Sequence, residues 1–160
     1  MKEAQSPAFP PADLAEFLSL CVGEWMTLRS QFAVSDGDDE WHSSERSDLN
    51  VNLLPAEQGE IGGLAVRPQS GDLSSLLFVE DGALQISSAA GEQRQGRWQF
   101  WPDGSVELSF LRADGVQLQE RIWFTKANLR LRSTTAIDKA GLPHQASFCS
   151  EIRRVSSPTS

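Results

Sequence analysis

Glu120-Arg121-Ile122-Trp123-Phe124, Asn128-Leu129-Arg130-Leu131-Arg132-Ser133 and Ser147-Phe148-Cys149-Ser150-Glu151-Ile152-Arg153-Arg154 decide how the chain is read. In each, aromatic or aliphatic side chains alternate with charged or small ones, the period-two pattern of half-buried strands. The same region gathers the cations. Residues 121–154 hold seven Lys and Arg against two acids, a balance of +5 in a chain of −8, so the first 120 residues carry −13. An acidic chain that collects guanidinium groups beside aromatics suits an organic anion, because Arg pairs with carboxylates and stacks on flat rings.

Working outward, turn signals recur at strand-length intervals: Asp36-Gly37, Gly62-Gly63, Gly71-Asp72, Asp81-Gly82, Gly91, Pro102-Asp103-Gly104, Asp114-Gly115 and Gly141. They predict strands near 25–34, 40–53, 60–67, 74–79, 83–88, 94–101, 105–111, 115–125, 128–137 and 145–155, a spacing that belongs to a sandwich or a closed barrel. Upstream, Asp13 followed by Glu16 reads as a helix start, and a helix over 14–21 sets Leu14, Phe17, Leu18 and Cys21 on one face. The expected organisation is a flexible leader (1–12), a single domain (13–155) and a flexible tail (156–160). Gly23-x-Trp25 directly after the helix, with Arg153-Arg154 ending the last strand, favours the barrel. In lipocalin-like barrels a late Arg packs over such an indole, although Trp25 also reads simply as a core aromatic.

Composition excludes several classes. A net charge of −8 speaks against nucleic acid, whose binding rests on phosphate neutralisation. No run approaches the ~18 apolar residues that span a membrane, and no secretory segment is read at the start, so a soluble, intracellular (cytoplasmic) chain is expected. Cys21 and Cys149 are too few for a disulfide framework, and His42 and His144 lack ligand-spaced partners, so no metal is expected.

The hairpin around Lys126-Ala127 carries the candidate site. If Thr125 faces Asn128, then Trp123 faces Arg130 and Arg121 faces Arg132. One face then holds Arg121, Trp123, Arg130, Arg132 and Thr134, and the other holds Ile122, Phe124, Leu129 and Leu131 with Glu120 and Ser133. Facing arginines repel by up to ~1 kcal/mol, so a carboxylate, solvent or a bound anion must offset them. A solvated outer face is the plain alternative. A bulge near 126–128 would change the register and bring Glu120 to the arginines. Arg29 lies on the Trp25 face of the first strand. Glu120 and Glu151 are the acids nearest the cluster. No Ser–His–Asp set, Cys–His pair or phosphate loop is present.

These three segments, with Phe17-Leu18, Gly23-Glu24-Trp25 and Leu28-Arg29-Ser30, resemble the S-type phycobiliprotein chromophore lyases (the CpcS/CpeS family) over about residues 14–155. Residues 68–95 are more compact than that family's middle region often is. Gly96-Arg97-Trp98-Gln99-Phe100-Trp101-Pro102-Asp103-Gly104 is more similar to the phycoerythrin-associated paralogues. The resemblance implies an all-β, lipocalin-like antiparallel up-and-down barrel with a short N-terminal helix. It implies a lyase that binds a linear tetrapyrrole (a phycobilin, phycoerythrobilin or phycocyanobilin) as substrate, with no prosthetic group. The bilin would be attached by a thioether to a cysteine of an apo-phycobiliprotein subunit, phycoerythrin or phycocyanin. The setting would be the cyanobacterial cytosol, or the plastid stroma in an alga.

In that reading Glu120 and Arg130 are catalytic, Glu120 meeting the pyrrole nitrogens. Arg29, Trp123, Arg132 and Trp98 bind the bilin, and Glu151 with Arg153 forms a structural pair at the barrel end. A noncovalent bilin carrier, or one subunit of a heteromeric lyase, is the alternative function. A lipocalin-like binder of another amphipathic anion ranks below both. A homodimer or a heterodimer with a paralogue is left open. Its candidate surface is the Ile122/Phe124/Leu129/Leu131 face, should that face not be interior.

Overall fold

The structure, a computed structural model, describes residues 9–33, 42–112 and 114–155; the leader up to residue 8, the Asp36-Gly37 turn and the tail from 156 lie outside them. Asp13 caps α1 (Leu14–Cys21), its side chain accepting from the Glu16 amide at 2.8 Å, while the Glu16 carboxylate accepts from the Ala12 amide at 2.6 Å. A helix of eight residues is marginal in water, so its stability comes from packing. Phe17 and Leu18 are fully buried, which contributes ~1.5–3 kcal/mol for each side chain. Gly62 makes room for the helix: a Cβ there would stand 3.1 Å from Leu18 Cδ1.

Ten strands follow: β1 (Gly23–Ala33), β2 (His42–Leu54), β3 (Glu60–Pro68), β4 (Ser74–Val79), β5 (Ala83–Ser88), β6 (Gln93–Phe100), β7 (Val106–Leu111), β8 (Gln117–Lys126), β9 (Leu129–Ile137) and β10 (Pro143–Arg153). Each pairs antiparallel with its neighbours, and β1 meets β10 to close the barrel. Closure removes every sheet edge. It also fixes parity, so alternate residues face inward along each strand. α1 plugs one end over a floor of Trp25, Val51, Leu64, Phe78, Leu84 and Val106. At the other end, among the described residues, the turns after β3, β5 and β9 border the mouth.

Trp25 is fully buried and explains the Gly-x-Trp motif. Its indole N–H donates to the Cys21 carbonyl at 2.9 Å. The Arg153 guanidinium lies 4.3 Å from its ring centroid and donates to the Leu20 and Val22 carbonyls at the end of α1. α1 has no basic residue in its own last turn, so β10 supplies the cation that a helix C-terminus favours. Gly23 sits beneath this contact with φ of +140°, and a Cβ there would stand 2.6 Å from Arg153 Nη1.

The register of the 117–137 hairpin departs from the simple expectation. A bulge between Phe124 and Lys126 pairs Phe124 with Arg130, Ile122 with Arg132 and Glu120 with Thr134. Glu120, Ile122, Phe124, Arg130, Arg132 and Thr134 therefore share the inner face. Trp123 pairs with Leu131 on the outside and packs against Phe148, ring centroids 6.2 Å apart. The expected Ile122/Phe124/Leu129/Leu131 face does not exist: the first two line the interior and the last two the exterior.

Candidate functional site

Above the apolar floor the interior turns polar. Thr27 is the inward residue after Trp25 on β1, and Glu151 lies beside it on β10, paired in turn with Arg130 on β9. Glu151 has no solvent exposure and Arg130 keeps 5%. The Arg130 Nε donates to one Glu151 oxygen at 3.0 Å and the Thr27 hydroxyl donates to the other at 3.0 Å. Burial pushes the Glu151 carboxyl up, but Arg130, then Arg132, with the hydrogen bonds, outweigh it and hold it below the usual carboxylate value. Burial pulls Arg130 down, and its neighbours, Glu151 among them, reverse the balance and raise it. The Arg130 guanidinium also lies 5.1 Å from the Trp25 ring centroid. Arg130 is thus anchored to the floor, and it lines neither lobe of the mouth.

Arg132, one inward position further toward the mouth, is held differently. Its Nη2 is 3.5 Å from Glu151 Oε2 and its Nη1 3.6 Å from Glu120 Oε1. These are ion-pair distances without hydrogen-bond contact, and its buried Nε has no hydrogen-bond partner. Burial lowers the Arg132 pKa, and Glu120 and then Glu151 overturn that and raise it, so the group stays cationic. Arg132 is therefore held more loosely than Arg130, by two carboxylates at ion-pair distance.

The mouth holds two adjoining lobes. One, of about 340 Å³, is lined by Glu120, Thr134, Phe110, Leu118, Ser147 and the rim residue Arg112 among others. The other, of about 240 Å³, is lined by Arg132, Thr27, Glu45, Ser47 and Leu49. Arg29 borders both. Thr134 donates to Glu120 at 3.2 Å, which orients a carboxyl whose side chain keeps 15% exposure. Arg112 is tied to Asp114 at 2.5 Å.

Of the residues the sequence singled out, Glu120, Arg29 and Arg132 come together at the lobes. Trp98 faces inward at the level of the wall, against Phe78 at 6.3 Å, and its indole N–H donates to the Val79 carbonyl at 2.8 Å; it lines neither lobe. Trp123 is on the outer wall, because the bulge reverses its face. Glu151 does not pair with Arg153: it bridges Arg130, Arg132 and Thr27, while Arg153 serves the end of α1. The sequence places Thr134 on the arginine face without giving it a role, and it gives Thr27 none. Thr27 sits midway between Trp25 and Arg29, so the parity of β1 alone places it inside.

The chain is 50% identical over 147 residues, 92% of its length and 91% of the relative's, to chromophore lyase CpcS/CpeS 1 of Paulinella chromatophora. The chain belongs to the CpcS/CpeS chromophore lyase family. The family model for CpeS-like proteins matches residues 79–154 of this CpcS/CpeS member. The chromophore lyase CpcS/CpeS 1 of Trichodesmium erythraeum is 25% identical to it over 178 residues, 91% of this chain and 99% of the relative. The S-type phycobiliprotein lyase CPES from Guillardia theta shares the fold, with a TM-score of 0.70 at 18% identity over 90% of this chain and 94% of that one.

Proposed function

We propose that this protein is a phycobiliprotein lyase that holds a phycobilin in the two-lobed mouth and delivers it to a cysteine of an apo-phycobiliprotein subunit. The observation that carries the mechanism is the contrast between two neighbouring arginines. Arg130 is consumed by Glu151 and Trp25, whereas Arg132 holds its two carboxylates only at 3.5 and 3.6 Å and lines a lobe that Arg29 also borders. A linear tetrapyrrole carries two carboxylates, which Arg29 and Arg132 take as charge-assisted pairs. Glu120, oriented by Thr134, faces the other lobe and accepts from pyrrole N–H groups. Arg130 holds the barrel together rather than the bilin: it neutralises Glu151 and packs over Trp25. Phe110 and Leu118 supply apolar contact for the conjugated body, the part earlier expected of Trp98 and Trp123.

Attachment is an addition. The acceptor thiol sulfur bonds to the A-ring ethylidene carbon, the C=C bond is consumed, and the thiol proton ends on the adjacent ring carbon. Nothing leaves and no oxidant is needed. The lyase contributes orientation of the bilin and a carboxyl at the pyrrole nitrogens. Buried Cys21 and Cys149 have no role in this addition. The acceptor is a phycoerythrin subunit and the bilin phycoerythrobilin, the reading that the 96–104 segment favours, and the site of action is the cytoplasm or the plastid stroma.

The test incubates the protein with phycoerythrobilin or phycocyanobilin and apo-phycoerythrin or apo-phycocyanin subunits. Bilin colour and zinc-enhanced fluorescence retained on the subunit after denaturation establish transfer. Glu120→Gln should bind bilin yet lose transfer while remaining folded. Full transfer by that variant refutes the role of Glu120, and colour that leaves every subunit on denaturation refutes the lyase reading.

A further inference from the structure

Arg112 follows β7 at its mouth end and lines the same lobe as Arg29 and Glu120. Its guanidinium is held by its own turn. Nε donates to Asp114 Oδ1 at 3.3 Å, and Nη2 donates to Oδ2 at 2.5 Å. Asp114 also accepts from the Val116 amide at 3.1 Å, and the Arg112 amide donates to the Val116 carbonyl at 2.8 Å. The turn is braced from the side. Gly115, with φ of +85°, lies against Lys139 of the β9–β10 turn, and a Cβ there would collide with Lys139 Cε. Asp114 stays ionised, its carboxyl held down to about 2, first by the Arg112 hydrogen bond and then by the Val116 amide. Arg112 is therefore a positioned group, and beside it is a seat for a flat ring. Phe110 and Leu118 pair across β7 and β8 and line the lobe. Gly96 on β6 lets Phe110 lie close, since a Cβ there would stand 2.8 Å from Phe110 Cβ.

Building on the lyase reading, we propose that Arg112 takes the lactam carbonyl of ring A of the bilin and so fixes which end of the tetrapyrrole stands at the mouth. Arg112 and Asp114 already form a neutral pair at the rim. A ligand carboxylate there would bring like charge against Asp114. The guanidinium N–H groups that Asp114 leaves over therefore suit a neutral acceptor. A linear tetrapyrrole has two kinds of strong acceptor: carboxylates at its middle, which Arg29 and Arg132 take, and lactam carbonyls at its two ends. Arg29 and Arg112 stand at opposite edges of the lobe, on β1 and beside β7, four strands apart around the barrel. At ~4.8 Å per strand that is an arc of about 19 Å, which suits the middle and one end of an elongated ligand. The end is ring A, because the acceptor thiol belongs to another macromolecule and reaches only the mouth. The ethylidene carbon has to lie there, beside Arg112. A bilin bound the other way round fills the same lobe and offers the thiol no ethylidene.

Infrared spectra of the bound bilin test this contact apart from transfer. Phycoerythrobilin, isotopically labelled at the ring-A or the ring-D carbonyl carbon, is bound to the full chain. The ring-A stretch should lie below that of free bilin in an aprotic solvent, and Arg112→Met should raise it. Arg112→Lys, which keeps a donor beside Asp114, should leave it lowered, and the ring-D stretch should respond to neither substitution. In the transfer assay Arg112→Met should weaken bilin binding about three- to tenfold and lower kcat at saturating bilin at least about tenfold, with most of kcat regained in Arg112→Lys. A ring-A stretch that ignores Arg112→Met overturns the inference, as does a response at ring D instead, or full kcat in Arg112→Met. Should Arg112→Met fail to fold, the wild type decides: a ring-A stretch no lower than in free bilin overturns the inference. A wild-type chain that shows the lowered ring-A stretch and its loss in Arg112→Met, yet transfers nothing, refutes the lyase reading and upholds the contact. A chain that binds no bilin refutes both.

Discussion

Arg130 and Arg132 are two residues apart on one face of one strand, yet they should fail in opposite ways when removed. Arg130→Met leaves Glu151, with no solvent exposure, holding only the Thr27 hydroxyl and a 3.5 Å contact to Arg132. Breaking a buried pair in this way costs about 3–5 kcal/mol. That is a large share of the ~5–15 kcal/mol that holds a domain together. Arg132→Met removes two ion contacts at 3.5 and 3.6 Å but leaves both hydrogen bonds to Glu151 in place. It also relieves the repulsion that Arg132 exerts on Arg130, so it should cost about 1 kcal/mol or less. At ~2–4 °C per kcal/mol for a domain of this size, Tm should fall by about 6–20 °C for Arg130→Met and by at most ~4 °C for Arg132→Met.

Binding should show the reverse order. A hydrogen bond from Arg132 to a bilin carboxylate is worth ~1.5–3 kcal/mol, so Arg132→Met should weaken phycobilin binding by at least about tenfold. Arg130→Met, assayed below its Tm, should bind within a few-fold of wild type. Urea titration followed by Trp fluorescence gives the stabilities, and bilin absorbance titration gives the affinities. Equal stability losses in the two variants would refute the division into a tightly and a loosely held arginine. So would unchanged bilin affinity in Arg132→Met.

The closed end and the pH response offer two further checks. Gly23→Ala puts a methyl group against Arg153 at a backbone angle that alanine avoids, and should cost about 1–3 kcal/mol in urea denaturation without changing bilin affinity at saturating fold. Glu151, held below its ordinary value of 4.5, contributes stability that is present above that value and lost as pH falls through its folded pKa. Tm should therefore be level from neutrality to about pH 5 and fall below it, and Glu151→Gln should flatten that acid limb as well as lower the plateau.

The strands and α1 were legible because glycines and aspartates punctuate the chain at nearly every turn, and a barrel needs little beyond ten strands so marked. The site was half legible. Parity along one strand is free: Arg130, Arg132 and Thr134 share a face whatever happens elsewhere, as do Trp25, Thr27 and Arg29. Phase across a turn is not free. The bulge at Thr125 is marked by no glycine, and shifting the register by one residue exchanges Trp123 for Glu120 on the arginine face. What sets the phase is the interior as a whole. With the bulge, Ile122 and Phe124 complete the floor around Phe17 and Trp25, and Glu120 reaches Arg132. Without it, Arg121 and Trp123 would enter a floor already filled, leaving Arg132 without its second carboxylate. Local pattern proposes both phases with equal force. Only the count of buried charges and the volume left by α1 separate them, and both depend on residues nearly a hundred positions upstream.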